Sequence, residues 1–290
     1  MSRTKHRRIS VTVAVALLCA LSCGCSSVQK WNPYAGKPVD VLGPGATKEE
    51  VVALVNRSAS RMTGWRSTDV KVKAKGVPIS LSANMAVESP RGFRMVAESI
   101  RGYEADFGSN DERLWFWIRS APYKHVFTCK HEEMNGIQDR MPVPFRADWM
   151  MEVLGVVPLD PEGVQLETDP GDPKLLQLLS HVELNDGRTA VRMVTVDSRT
   201  GRVVAHQLWR PEGDLIAQAF LNDYRPDDET GLELPRHIRI EWPEADTDMT
   251  LKIGEIEVNP TSVPESTWSL PKMADYPEFD LAAGQMPVVR

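Results

Sequence analysis

Val77-Pro78-Ile79-Ser80-Leu81-Ser82-Ala83-Asn84-Met85-Ala86-Val87 carries an apolar side chain at every second position. Successive side chains of an extended chain point to opposite faces, so Val77, Ile79, Leu81, Ala83, Met85 and Val87 share one dry side. A strand over 77–88 is the reading. The device recurs at Phe93, Met95 and Ala97, and again at Leu114, Phe116 and Ile118. Glu88-Ser89-Pro90-Arg91-Gly92 and Gly108-Ser109-Asn110-Asp111-Glu112 separate these runs with turn-forming residues. An antiparallel meander with one apolar face follows, and the functional question is what covers that face.

The chain has 290 residues, 42% of them hydrophobic, enough for one large core or two small ones. Its formal charge is −6, and removal of a leader holding Arg3, Lys5, Arg7 and Arg8 would take it to −10. An acidic surface argues against nucleic acid as a partner. The start has the layout of an export signal: a basic stretch to Arg8, an apolar run from Ile9 to Leu21, and small residues from Ala20 to Ser27. The apolar run is too short to span a bilayer comfortably.

Leu21-Ser22-Cys23-Gly24-Cys25-Ser26-Ser27 resembles the lipobox of bacterial lipoproteins, whose cysteine receives diacylglycerol and becomes the new N-terminus. Cys25 is the preferred lipidation site and Cys23 the alternative; an ordinary signal peptide with incidental cysteines is the plainer reading. Acyl chains of the palmitate kind would hold the protein at a membrane without spanning it. With Cys25 lipidated and Cys19 removed with the signal, Cys129 is the remaining thiol, so no intramolecular disulfide framework is expected. Ser26 carries no aspartate-type inner-membrane retention signal, which favours the periplasmic face of the outer membrane.

Residues 1–25 are thus expected to be a lipoprotein signal, 26–45 a Pro- and Gly-rich tether, 46–272 the folded domain and 273–290 a poorly ordered tail. Thr47 and Glu50 form a capping box, and Val51, Leu54, Val55, Ser58 and Met62 make one helical stripe ending at Gly64. Strands are predicted over 69–75, 93–100, 103–107, 114–119 and 124–130. Trp115 and Trp117 occupy the second face of their strand, which marks it as central or covered by a loop. Met141-Pro142-Val143-Pro144 breaks the sheet, and Phe145, Trp149, Met150, Val153 and Leu154 continue at helical spacing to Gly155. Leu175, Leu176, Leu178 and Leu179 form a turn or strand after a Pro-rich loop. A second meander follows over 190–196, 203–210, 215–224, 237–242 and 249–258, with a bulge near Gly254 where the apolar parity changes. The expected class is mainly β (α+β): a large curved antiparallel sheet, an incompletely closed barrel, covered by a few short helices.

This order of parts resembles the Lol lipoprotein carrier and receptor superfamily over Thr47 to Lys272. Gly108-Ser109-Asn110-Asp111-Glu112-Arg113-Leu114-Trp115 resembles that family's polar turn entering a Leu-Trp strand. Tyr224, Leu234-Pro235, Val258-Asn259 and Leu270-Pro271 resemble its closing strands. The resemblance implies a cavity between sheet and helical lid that accepts acyl chains, and a lipid-anchored protein of the receptor type. It also implies an exposed apolar loop, best matched by Ile100-Arg101-Gly102-Tyr103, and an arginine that tethers the lid, for which Arg91, Arg94 and Arg101 are candidates by region.

Met85, Met95, Trp115, Phe116, Trp117, Phe145, Trp149 and Met150 are the expected lining, because flexible Met and flat rings accommodate chains of variable shape. Taken singly, each is better explained as ordinary core; the lining reading gains its weight from the set as a whole. His125, Cys129, His131 and Glu133 share parity, but consecutive members of an alternating set lie about 7 Å apart, so no metal site is assigned. Nucleophile elbow, HExxH, P-loop and glycine-rich dinucleotide turn are all missing from the sequence, and Asp227-Asp228-Glu229 reads as a solvated turn. The expected protein is a monomeric, non-enzymatic envelope lipoprotein without cofactor that binds a lipid or a lipoprotein acyl chain. The alternative is an envelope-stress or assembly lipoprotein that contacts a protein partner with the same scaffold.

Overall fold

A computed structural model describes residues 41–134, 137, 146–183 and 188–284. The signal, Cys23, Cys25, most of the tether and Phe145 lie outside the described residues. Two meanders share one sheet. The first comprises β1 (Gly64–Ala74), β2 (Leu81–Glu88), β3 (Gly92–Ser99), β4 (Gly102–Ser109), β5 (Arg113–Ile118) and β6 (Val126–Lys130). The second comprises β7 (Gln165–Thr168), β8 (Leu175–Glu183), β9 (Thr189–Asp197), β10 (Arg202–Trp209), β11 (Leu215–Pro226), β12 (Glu233–Trp242) and β13 (Thr247–Ile253), then β14 (Glu257–Val258) and β15 (Glu278–Asp280).

Pairing of β1 with β13 welds the two meanders edge to edge. The order is β15-β6-β5-β4-β3-β2-β1-β13-β12-β11-β10-β9-β8-β7, with β14 also on β1. The two ends do not pair, so the sheet stays open, as a half-barrel does. All neighbours are antiparallel except β15, which runs parallel to β6. Between β6 and β7 the chain passes from one edge of the sheet to the other, and this crossing carries helix α2 (Ala147–Val153). Helix α1 (Lys48–Ala59) precedes β1 and starts at the predicted capping box: Thr47 N donates to Glu50 Oε2 at 2.9 Å, and Glu50 N to Thr47 Oγ1 at 3.3 Å.

The opening stretch is a strand only from Leu81 onward. Val77 and Ile79 are exposed, because β1 ends at Ala74 and Val72↔Leu81 is the last pair of that hairpin. Pro78 has no N–H to give, and residues 77–80 have no strand opposite. Near Gly254 the expected irregularity is a gap between β13 and β14. It faces a bulge of β1 at Ser67–Val70, and Gly254 N donates across the gap to Asp69 O at 2.7 Å. Strand β7, inside the Pro-rich loop, is additional to the expected strands, and Leu175–Glu183 is a full strand.

The inner face, which bears α2, is filled from both meanders. Val70, Val72, Ala83, Met85, Phe93 and Met95 of the first meet Leu208, Ala219, Ile238, Ile240 and Leu251 of the second around Trp149, Met150, Met151 and Val153 of α2. Trp65 Nε1 donates to Leu154 O at 3.1 Å and pins the end of this helix. Burying such side chains stabilises by roughly 1.5–3 kcal/mol each, so α2 is a structural plug for this half of the sheet. Helix α1 covers a separate cluster of Val51, Val52, Leu178, Val194 and Val196.

Two expectations about the ends of the domain are corrected. Residues 41–45 are part of the fold rather than free tether: Leu42 is buried against α1 and its N–H donates to Ser198 O at 3.0 Å. The described part of the segment after Pro271, residues 272–284, also packs onto the fold. Met273 and Tyr276 pack with Trp115 and Trp117 on the outer face, and Leu281 is fully buried beside Phe127. Two tryptophans on the outer face need a cover, and the C-terminal segment supplies it.

Candidate functional site

A cavity of about 340 Å³ lies between α1, the chain leaving α2 and strands β9 to β12. That volume is near the lower end of the ~300–1,000 Å³ range of small-molecule sites. Leu54, Val55, Val157, Leu159, Val203 and Leu232 supply apolar wall. The roof is positioned by backbone contacts. Asn56 donates through Nδ2 to Leu159 O and accepts from Leu159 N through Oδ1, both at 2.8 Å, fixing α1 to the crossing chain. Leu54 rests on the β9–β10 turn at Gly201, where φ is +68° and a Cβ would come within 2.4 Å of Leu54 Cδ2. Only glycine satisfies both the left-handed backbone and the close approach there.

The floor is polar. Arg192 on β9 donates from Nη1 to Glu152 Oε1 on α2 at 2.6 Å and from Nε to Ser180 Oγ at 2.9 Å. Burial pushes the Glu152 carboxyl upward, against the pull of Arg192. His206 on β10 is 6% exposed, and burial, reinforced by the Arg192 charge, takes its pKa down to about 3. Its ring is therefore neutral at pH 7. Glu152 Oε2 and His206 Nδ1 are buried and have no hydrogen-bond partner among the described residues. Toward the rim, Arg202 makes a two-point contact with Glu233 at 3.0 and 2.6 Å. Tyr224, whose hydroxyl donates to Val203 O at 2.7 Å, has its pKa raised by burial.

The residues expected to line a ligand site are placed elsewhere. Met85, Met95, Trp149 and Met150 are in the packed inner core, and Phe116 is in an edge cluster, stacked between Phe107 and Phe127. Trp115 and Trp117 point to the opposite face, under the C-terminal segment. None of these seven borders the cavity. Arg192 and His206 were missed, although each leaves a signal: Arg192 interrupts the apolar parity of Ala190, Val194 and Val196, and His206 that of Val204 and Leu208.

Arg94, a candidate lid tether, serves the outer face instead. It pairs with Asp106 at 2.6 Å, stacks 5.3 Å above the Trp115 ring, and donates to Thr267 O and Ser269 O. Arg192 reaches α2 from β9, while Arg146 at the start of α2 pairs with Asp148 in its first turn. Ile100 is fully exposed at the β3–β4 tip, with Tyr103 beside it. The β1–β2 tip with Val77 and Ile79 projects from the same end of the sheet, since alternate hairpins of a meander share an end. His125, Cys129, His131 and Glu133 do not converge: among the described residues no three His, Cys, Asp or Glu side chains are grouped to hold a metal. Cys129 is buried, and its thiol is pushed up to about 11, chiefly by burial.

No family model matches the sequence, and no curated protein was found that matches it. Solved structures do resemble the fold. A DUF1329 family protein from Desulfovibrio piger superposes with a TM-score of 0.50 at 9% identity, over 76% of this chain and 96% of that one. A putative outer membrane lipoprotein-sorting protein domain from Vibrio parahaemolyticus gives 0.49 at 11% identity, over 76% and 97%. A LolA superfamily protein from Nitrosomonas europaea gives 0.46 at 10% identity, over 77% and 98%. At such identities the Desulfovibrio likeness establishes a shared fold, an open sheet with helices on its inner face. No helix among the described residues is long and apolar enough to cross a membrane.

Proposed function

We propose that this protein is a non-enzymatic, lipid-anchored lipoprotein of the bacterial envelope that holds an alkyl chain, from a lipid or from another lipoprotein, in the cavity beneath α1. The observation that carries this reading is the cavity itself, mostly apolar along its walls and roofed by α1. Chain burial supplies about 0.8 kcal/mol per methylene, so a chain partly enclosed there gains useful affinity without polar chemistry. The names of the lipoprotein-sorting and LolA superfamily structures motivate the reading; they do not carry it. The exposed Val77, Ile79, Ile100 and Tyr103 provide apolar tips suited to a bilayer surface, where the chain would be exchanged.

Native mass spectrometry of the envelope-purified protein, followed by delipidation and rebinding, tests the reading. The expected result is a mature mass beginning at Cys25 with a diacylglyceryl adduct, together with a separable alkyl-bearing ligand. Val55→Phe, which fills the cavity from α1, should reduce rebinding by about tenfold or more, equivalent to ~1.4 kcal/mol, with the melting transition retained. A protein that carries no ligand and rebinds none would refute the carrier role.

A further inference from the structure

The charges around the cavity are unequally committed. Among the described residues, Arg57, Arg61 and Arg202 border it on the basic side and Glu152 and Glu233 on the acidic side, with His206 neutral. Glu233 is taken up by its two-point contact with Arg202. Glu152 is paired at 2.6 Å with Arg192 of β9, which does not itself border the cavity. Arg57 and Arg61 are left over: among the described residues neither guanidinium has an ion pair or a hydrogen bond. Both are exposed as well as lining, so they stand where the cavity meets solvent.

Their backbone sets the two arginines on one side of the opening. Arg57 is in the last turn of α1, and the helical turn continues past the cap at Ser60, with Arg61 N donating to Ser58 O at 3.0 Å. Asn259, just after β14, donates from Nδ2 to Arg61 O at 3.0 Å and ties this turn to the sheet. Residues four apart on a helix have Cβ atoms about 5–6 Å from each other, so both guanidinium groups can reach one acid group. The helix dipole accounts for basic residues at a C-terminus, but not for two of them bordering a cavity with apolar walls. From this geometry we infer that the cavity takes an anionic amphiphile, whose alkyl chain lies among Leu54, Val55, Val157 and Leu232 while its carboxylate or phosphate is held at the opening by Arg57 and Arg61. The inference rests on the proposal that the cavity holds an alkyl chain, and it adds the charge of the group attached to it.

The test compares binding of laurate, dodecyl phosphate and dodecanol to the delipidated full-length protein at pH 7.5, below their aggregation concentrations, by displacement of a fluorescent alkyl reporter. At low salt at least one of the two anions is expected to bind about fivefold or more tightly than dodecanol, and added salt should shrink that ratio because the arginines are exposed. Preference for laurate would identify the head as that of a fatty acid, and preference for dodecyl phosphate as that of a phosphate-bearing lipid. The double variant Arg57→Gln with Arg61→Gln, checked for an unchanged melting transition, should bring the ratio of anion to alcohol affinity to about one. Equal binding of all three to wild type, or a ratio that survives in the double variant, would overturn the inferred headgroup site while leaving chain binding intact. Failure of all three to bind would overturn both.

Discussion

Arg192 Nη1 lies 2.6 Å from Glu152 Oε1, and this one contact joins strand β9 to helix α2 across the inner face. Both side chains are more than four-fifths buried, so neither charge can fall back on water. Arg192→Met leaves the Glu152 carboxylate buried without its hydrogen-bonded counter-charge and should destabilise the protein by ~3–5 kcal/mol. The double variant Arg192→Met with Glu152→Met, which removes both charges, should regain most of that loss. Urea unfolding of the two variants and wild type measures the difference, and equal midpoints for single and double variants would contradict it.

Gly108 pairs with Trp115 across the β4–β5 hairpin, and a Cβ at Gly108 would sit 2.1 Å from Trp115 Cζ2. That ring is 1% exposed, with Arg94 above it, so it has nowhere to retreat. Gly108→Ala should therefore cost ~1–3 kcal/mol, the usual range for overpacking a core. The expected readout is a lower urea midpoint accompanied by a red-shifted tryptophan emission.

Arg94 fastens the C-terminal segment to the outer face through the Thr267 and Ser269 carbonyls while neutralising Asp106. Arg94→Met should release that segment and leave Asp106 buried with its Trp115 contact alone. Limited proteolysis should then cut between Ser269 and Leu281 at early times, with the wild type resistant there under the same conditions. An unchanged digestion pattern would show that the packing of Tyr276 and Leu281 suffices without the arginine.

His206 is neutral in the fold with its pKa lowered from 6.5 to about 3, while in the unfolded chain it titrates normally. The unfolded state therefore binds more protons between those values. Its contribution is fully present above pH ~6.5 and is lost as pH falls toward ~3, at up to ~1.4 kcal/mol per pH unit. Glu152, with its carboxyl pushed upward, opposes this over part of the same window, so the clean measurement is a difference. His206→Leu should flatten the dependence of unfolding free energy on pH from 6.5 to 4 relative to wild type. Parallel curves would mean that His206 is not buried in its neutral form.

How far the architecture is legible in the sequence follows from the range of each signal. The capping box at Thr47, the turns at Pro90 and Asn110, and the alternation of β2 from Leu81 and of β3 and β5 are local, and they lie where they were read. The same alternation failed at Val77 and Ile79, because a strand needs a partner as well as a pattern and β1 had already ended. The order after Pro271 was invisible for a related reason: the segment has no periodicity of its own, and gains its place by covering Trp115 and Trp117.

By itself, then, the sequence determined two antiparallel meanders, a capped helix before them, an aromatic helix between them and an apolar side to the sheet. These depend on spacing over a few residues, which backbone geometry translates directly. Only the tertiary structure decided that β1 joins β13, that α2 fills the first half of the inner face with Trp149 and Met150, and that space remains under α1 beside Glu152 and His206. Those outcomes depend on where the crossing between β6 and β7 lays its helix, and on which side chains from distant strands compete for the same volume, which no local pattern records.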